Sequence, residues 1–268
     1  MKCCLLRLVL QPDICWGMMS SVSLSIVIPT FNEESRLAAT LERLRSVAHT
    51  FGELEVIITD DGSTDQTIQL AHQWKSRLPL RVLRNAHLGP GAAIRAGVLN
   101  SELDWVLLSD ADGPVNFLTA HEMVAWANEH NLDVLSGRRV GANAQIAHPQ
   151  PFYRRAMGHL WRRFVRHGIG ASFEDPQCGF KLFRGPCARS VFRDTRSQSF
   201  GIHVETMMLA SFLGHRVAEY PVCWGDRDGS KIRPFRDAFQ MVNEALGARR
   251  RLRKSTMKNQ ISAEPYPS

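Results

Sequence analysis

Residues 105–113 read WVLLSDADG, an apolar run that stops in two carboxylates and a glycine. Two earlier stretches are built the same way, SLSIVIPTFNEE at 23–34 and LEVIITDDGSTD at 54–65. Short β-rich apolar runs bounded by turn formers read as buried strands. The strand candidates are Ser23–Ile28, which Pro29 ends, Leu54–Thr59, Leu80–Leu83, Trp105–Leu108 and Asp133–Leu135. Helical patterns separate them. Leu37, Leu41, Leu44 and Val47 recur at helical spacing within Glu33–Ala48, and Thr64–Lys75, Gly91–Asn100 and Phe117–His130 follow. Strands alternating with helices specify a parallel sheet with right-handed crossovers. Ligands of such sheets sit beyond the carboxyl ends of the strands, and all three polar turns fall there.

From Ser136 the character changes. No acidic residue occurs between Asp133 and Glu174. That stretch carries Arg138, Arg139, Arg154, Arg155, Arg162, Arg163 and Arg166, with Phe152, Tyr153, Trp161 and Phe164 interleaved. A strand at Gly179–Phe183, a helix at His203–Leu213, a strand at Val217–Val222 and a basic helix through Arg249–Arg251 complete the pattern. The expected organisation is a non-core extension at 1–20, one α/β domain at 21–254 with a basic segment at 136–171, and a disordered tail at 255–268. The 33 Lys and Arg against 26 Asp and Glu leave a net charge of +7, which points to an anionic partner. No run of about 18 apolar residues exists, which excludes a polytopic membrane protein. The six cysteines form no CxxC pair, so neither a zinc site nor a disulfide framework is expected.

Asp110 and Asp112 are two residues apart at a strand end, a spacing that points both carboxylates the same way. Two such groups can share a hard cation, Mg²⁺ or Mn²⁺, that also takes phosphate oxygens. A solvated turn is the competing reading of an isolated Asp-x-Asp. Asp60 or Asp61 suits a nucleobase or ribose, while Ser63 or Thr64 caps the next helix. Two acidic turns at neighbouring strand ends favour a pocket for a cation and a nucleotide together.

Pro29-Thr30-Phe31-Asn32-Glu33-Glu34, DDGSTD, the Gly89-x-Gly91-x-x-x-Arg95-x-Gly97 turn and DADG together resemble the family 2 inverting glycosyltransferases. Gln177-Cys178-Gly179-Phe180-Lys181-Leu182-Phe183, His203-Val204-Glu205 and Gly229-Ser230-Lys231 are similar to the polyprenyl- and dolichyl-phosphate sugar synthases, nearest to the β-glucosyltransferase branch. The resemblance spans about Ser21 to Arg250. It implies a GT-A (Rossmann-like) α/β fold, a mixed, mainly parallel sheet flanked by helices in a single domain. It implies a nucleotide-sugar donor bound by Pro29, Phe31, Glu33, Asp60, Asp61, Gly89, Arg95 and Asp110, with Mg²⁺ or Mn²⁺ on Asp110 and Asp112. Asp112, Arg138, Lys231 and Glu205 are the implied catalytic residues. Arg138, Arg139, Arg154, Arg155 and Gln177 would receive the acceptor, a polyprenyl or dolichyl phosphate. Such a phosphate is already an oxyanion and attacks the anomeric carbon without a strong general base. Catalysis then rests on alignment and on stabilising the departing diphosphate, for which Arg and Lys are suited. Pro90 stands where many relatives carry Lys, and Ile202–His203 where they commonly show Phe-Asp.

The implied activity is hexose transfer from UDP-glucose at a membrane surface. A GDP-mannose-dependent enzyme and a non-catalytic nucleotide- or RNA-binding protein on the same fold are the alternatives. A sugar nucleotidyltransferase is disfavoured, since no Gly-rich segment with Lys or Arg follows the first strand. The Arg–aromatic segment fits a helix at an anionic lipid boundary, where each arginine adds about 1 kcal/mol. A single-stranded nucleic-acid groove and a solvated basic face are the other readings, and no nucleic-acid-binding signature accompanies the arginines. The expected location is peripheral, on the cytoplasmic face of the membrane.

Overall fold

The computed structural model describes residues 22–140, 173–225 and 234–261. Seven strands form one sheet: β1 (Ser23–Thr30), β2 (Glu53–Asp60), β3 (Leu80–Arg84), β4 (Trp105–Leu108), β5 (Val134–Val140), β6 (Lys181–Arg184) and β7 (Val217–Cys223). Their order is β3-β2-β1-β4-β6-β5-β7. Every pairing is parallel except those of β6, which runs antiparallel to both β4 and β5. The helices are α1 (Glu34–Val47), α2 (Thr67–Gln73), α3 (Pro90–Leu99), α4 (Thr119–Glu129), α5 (Gly185–Asp194), α6 (Ile202–Phe212) and α7 (Pro234–Ile261).

Strand alternation sorts the apolar side chains into two layers. Leu24, Ile26 and Ile28 of β1, with Val56 and Ile58 of β2, face Leu37, Leu41 and Leu44 of α1 and Met123 of α4. Val27, Ile57, Val106 and Leu108 face the other way, onto Ile94 and Val98 of α3 and onto α5 and α6. Both faces of the central strands are therefore buried, which is why Ile26–Ile28, Val56–Ile58 and Trp105–Leu108 are apolar at consecutive positions rather than alternating. On that second face a Cβ at Gly97 would collide with Val27, so the glycine sets how closely α3 lies on the sheet.

The structure differs from the sequence reading at several points, among them β5, which runs to Val140 rather than ending at Leu135. Pro29 does not end β1: it pairs with Thr59, and Thr30 with Asp60. Pairing with β4 stops at Val27, so the missing Pro29 N–H falls where β1 has a neighbour on one side only. Helix α5 was not expected; it follows β6 directly, with Pro186 in its first turn. Helix α7 runs to Ile261, past the Lys254 expected to close the domain. No helix among the described residues is long and apolar enough to cross a membrane. The described cysteines, Cys178, Cys187 and Cys223, are free.

Candidate active site

Because β6 is reversed, its start lies at the same edge of the sheet as the ends of its neighbours. Lys181 at the head of β6 pairs with Leu108 at the end of β4 and with Ser136 of β5. The polar turns after β1, β2 and β4 thus share one edge of the sheet with the Gln177–Lys181 segment and the arginines closing β5, and Gly179 lies against Asp110.

The Asp110–Asp112 turn is fixed from its backbone. Arg43 of α1 donates to the carbonyl of Asp112 at 2.8 Å, and Gly113, at φ +53°, donates to that of Asp110 at 2.9 Å. The side chains are left to face the site. Burial, followed by the charge of Asp112 and a weaker push from Glu33, raises the Asp110 carboxyl from 3.8 to about 6, against the pull of Arg139 and Lys181. Oδ1 of Asp112 is buried and has no hydrogen-bond partner among the described residues. Two crowded carboxylates, one strained toward protonation and the other with an unsatisfied oxygen, fit a hard divalent cation with oxygen preference. A Cβ on Gly179 would stand 2.6 Å from Oδ1 of Asp110. The glycine of the QCGFK motif is therefore the space into which this carboxylate fits. Glu33 holds Arg36 by two hydrogen bonds of 2.8 Å, and Arg36 reaches within 4.0 Å of Asp112. That places Glu33 beside the aspartate pair.

The second acidic turn divides its labour. Asp60 accepts from Gly62 N at 3.0 Å, Ser63 N at 2.9 Å, Ser63 Oγ at 2.5 Å and Thr30 Oγ1 at 3.2 Å. Four bonds occupy its acceptor capacity in holding the turn. Asp61 accepts only the Gly89 N–H, at 3.0 and 3.2 Å, among the described hydrogen bonds to its carboxylate. His87 Nδ1 lies 2.6 Å from the Asp61 carbonyl oxygen and 3.3 Å from its carboxylate. The His87 ring stacks on Phe31 at 4.6 Å between centroids, making an exposed aromatic pair beside Asp61. His87 was missed in the sequence. Its left-handed backbone (φ +47°) and its place beside the glycine turn are the signals a structure adds.

On the far side, the acid-free segment meets its counter-charges just beyond its boundary. Arg139 grips Asp175 through Nε at 2.6 Å and Nη2 at 2.7 Å, and its guanidinium lies 5.3 Å from the centre of the Trp224 ring. Burial works to raise the Asp175 carboxyl, but the hydrogen bonds and charge of Arg139 outweigh it and hold the group below its ordinary value. Among the described residues Arg138 pairs with the exposed Glu174 at 2.6 Å. Lys181 of the QCGFK motif is wholly buried and donates to Ser136 Oγ at 2.5 Å and to the Pro176 carbonyl at 3.0 Å. Burial draws its amine down to about 8. Burial, reinforced by Lys181 and Arg139, lowers His203 to about 3, and its Nδ1 finds no partner among the described residues. Nε2 of Gln177 is likewise buried and unpartnered there.

Two expected site residues have other work. Arg95 turns away from the glycine turn and donates to the carbonyls of Phe192 and Arg193 at 3.0 and 3.2 Å, capping the end of α5. Glu205, almost fully buried, accepts the backbone N–H of Arg196 at 3.1 Å and of Ser197 at 2.7 Å, and pairs with Arg251 of α7. It braces a loop. Arg154, Arg155 and Lys231 lie outside the described residues.

A mainly parallel sheet with helices on both faces, one reversed strand and acidic turns at its carboxyl edge defines the GT-A glycosyltransferase fold. Among solved structures it is similar to glucosyl-3-phosphoglycerate synthase from Mycobacterium tuberculosis, crystallised with Mn²⁺, uridine-diphosphate-glucose and phosphoglyceric acid. The TM-score is 0.66 at 15% identity, covering 89% of this chain and 85% of that one. Residues 25–192 match the model of glycosyl transferase family 2, and the chain belongs to that family. It is 29% identical over 243 residues to a dolichyl-phosphate beta-glucosyltransferase of Dictyostelium discoideum, spanning 85% of this chain and 74% of that protein. The protein of the same name from Homo sapiens is 29% identical over 246 residues, 85% and 75% respectively.

Proposed function

We propose that the protein is an inverting glycosyltransferase that moves glucose from UDP-glucose to a dolichyl or polyprenyl phosphate at an anionic membrane surface. The observation that carries this reading is the Asp110–Asp112 pair, with its raised carboxyl and its orphaned Oδ1. Asp110 and Asp112 would hold Mg²⁺ or Mn²⁺, which when bound offsets the charge of the departing diphosphate. Phe31 and His87 offer a face for the base, and Asp61 an acceptor for base or ribose. The names of the curated relatives support glucose as the sugar and dolichyl phosphate as the acceptor.

The arginines at the end of β5 take different parts. Arg139 is committed to Asp175 and shapes the wall. The Arg138–Glu174 pair is exposed and single-pointed, and such pairs contribute about 0–1 kcal/mol. Arg138 can therefore exchange Glu174 for an acceptor phosphate at little cost. The phosphate oxygen then forms its bond to the anomeric carbon as the bond to the diphosphate breaks, with no proton to remove. The supporting assay is transfer of radiolabelled glucose from UDP-glucose into butanol-extractable lipid with dolichyl phosphate and Mg²⁺ or Mn²⁺. Transfer from GDP-mannose alone, or no transfer from either donor, refutes the reading.

A further inference from the structure

The loop after α5 is held in an unusual way. Four successive backbone N–H groups, from Arg196 to Ser199, end on two carboxylates. Glu205 of α6 takes Arg196 and Ser197. Glu244 of α7 takes Gln198 at 3.2 Å and Ser199 at 3.1 Å, and also accepts the Ser199 hydroxyl. The carbonyls of the same loop point to the glycine turn. Gly91 donates to the Gln198 carbonyl at 2.8 Å. A Cβ on Gly91 would stand 2.5 Å from the Ser197 carbonyl oxygen and 2.6 Å from that of Ser199, and one on Gly89 would collide with that of Gln198. Gly89 in turn donates its N–H to the carboxylate of Asp61. A continuous path of hydrogen bonds and backbone contacts thus joins the closing helix to the residue facing the nucleoside.

We infer that Glu244 is a positioning residue for the donor pocket, acting through the 196–199 loop and the Gly89–Gly91 turn to orient Asp61. The inference rests on the reading of Asp61 as a nucleoside contact. Glu244 touches none of the reacting groups; it sets where the glycine turn lies. Gly201 exists in this arrangement because a Cβ there would overlap the Glu244 carboxylate. Gly201→Ala therefore displaces the same carboxylate without deleting it.

The test has three readouts, each applied to Glu244→Ala, Glu244→Gln and Gly201→Ala in the full chain. Hydrogen exchange of the unliganded protein reads the Gly89 and Gly91 amides, which lie beyond the loop that Glu244 touches. Exchange there is expected to quicken about tenfold in Glu244→Ala and Gly201→Ala, as for the loss of one hydrogen bond to a charged group. Glu244→Gln, which keeps an acceptor oxygen, should stay within about threefold of the parent. Calorimetric binding of UDP with Mg²⁺ should weaken about tenfold in the same two variants. Their kcat at saturating UDP-glucose should remain within about twofold. Unchanged exchange at Gly89 and Gly91 in both variants overturns the inference, as does a fall in kcat with unchanged UDP affinity. A parent protein that does not bind UDP overturns the donor reading instead, and the exchange arm still decides the coupling.

Discussion

Asp110→Asn should make the metal-free protein more stable while disabling it. The rise of the Asp110 carboxyl from 3.8 to about 6 corresponds to at most about 3 kcal/mol, at 1.36 kcal/mol per pH unit. The folded value lies above the unfolded one. The group therefore favours folding fully below about pH 4, and that contribution is lost as the pH rises through about 6. At pH 7.5 the ionised carboxylate is a burden that burial and Asp112 impose and that Arg139 and Lys181 only partly relieve. An isosteric amide removes the charge and with it the burden. Urea denaturation in EDTA at pH 7.5 should show the variant gaining up to about 3 kcal/mol, shrinking to about 1 kcal/mol at pH 4.5. Glucose transfer by the same variant should fall at least about 100-fold if the pair holds the metal. A variant no more stable than the parent at pH 7.5, or a gain of the same size at both pH values, refutes the account of Asp110 as a strained ligand.

Gly179→Ala should leave the fold intact but push the Asp110 carboxylate aside, since the new methyl would stand 2.6 Å from its Oδ1. Transfer should drop about 100-fold with the donor KM rising, measured against a far-ultraviolet spectrum that does not change. Arg95→Ala should cost about 1–2 kcal/mol of stability through the uncapped end of α5, and titration of UDP should give an unchanged Kd. A large loss of UDP affinity would return Arg95 to the donor site. Lys181, drawn down to about 8 by burial, releases its proton earlier in the folded than in the unfolded chain. Stability of the parent should therefore climb between about pH 8 and 10, and Lys181→Met, followed by denaturation across that range, should lack the climb.

The strands and the acidic turns were legible because apolar runs such as Ile26–Ile28, Val56–Ile58 and Trp105–Leu108 end in polar turns where each parallel strand emerges from the core. Asp110 and Asp112 could be placed from nine residues of sequence. The direction of β6 could not, since a strand of only four residues, Lys181–Arg184, pairs equally well either way round. That reversal carries Lys181 and Gly179 to the site. Asp60 and Asp61 look interchangeable in a string, and only the turn's hydrogen bonds show that one is consumed by the backbone. Arg95 and Glu205 sit in motifs yet spend their polar groups on α5 and on the 196–199 loop. The acid-free stretch was correctly seen as basic, but Glu174 and Asp175, its nearest counter-charges, stand just past the edge of the window and are brought back by the pairing of β5 with β6.

That pairing also says how this protein can change. The chain leaves the sheet after Val140 and re-enters it at Lys181, and Arg139 and Asp175 clasp the two ends through a bidentate ion pair and the Arg139 N–H donating to the same carboxylate at 3.1 Å. The neck of the excursion is closed by the sheet itself, so what hangs from it adds little closure entropy; doubling a loop costs only about 0.6 kcal/mol. Insertions, deletions or a transplanted segment between these two residues should be tolerated by the scaffold. If that segment receives the acceptor, as the family resemblance implies, exchanging it should alter acceptor preference while UDP affinity stays unchanged.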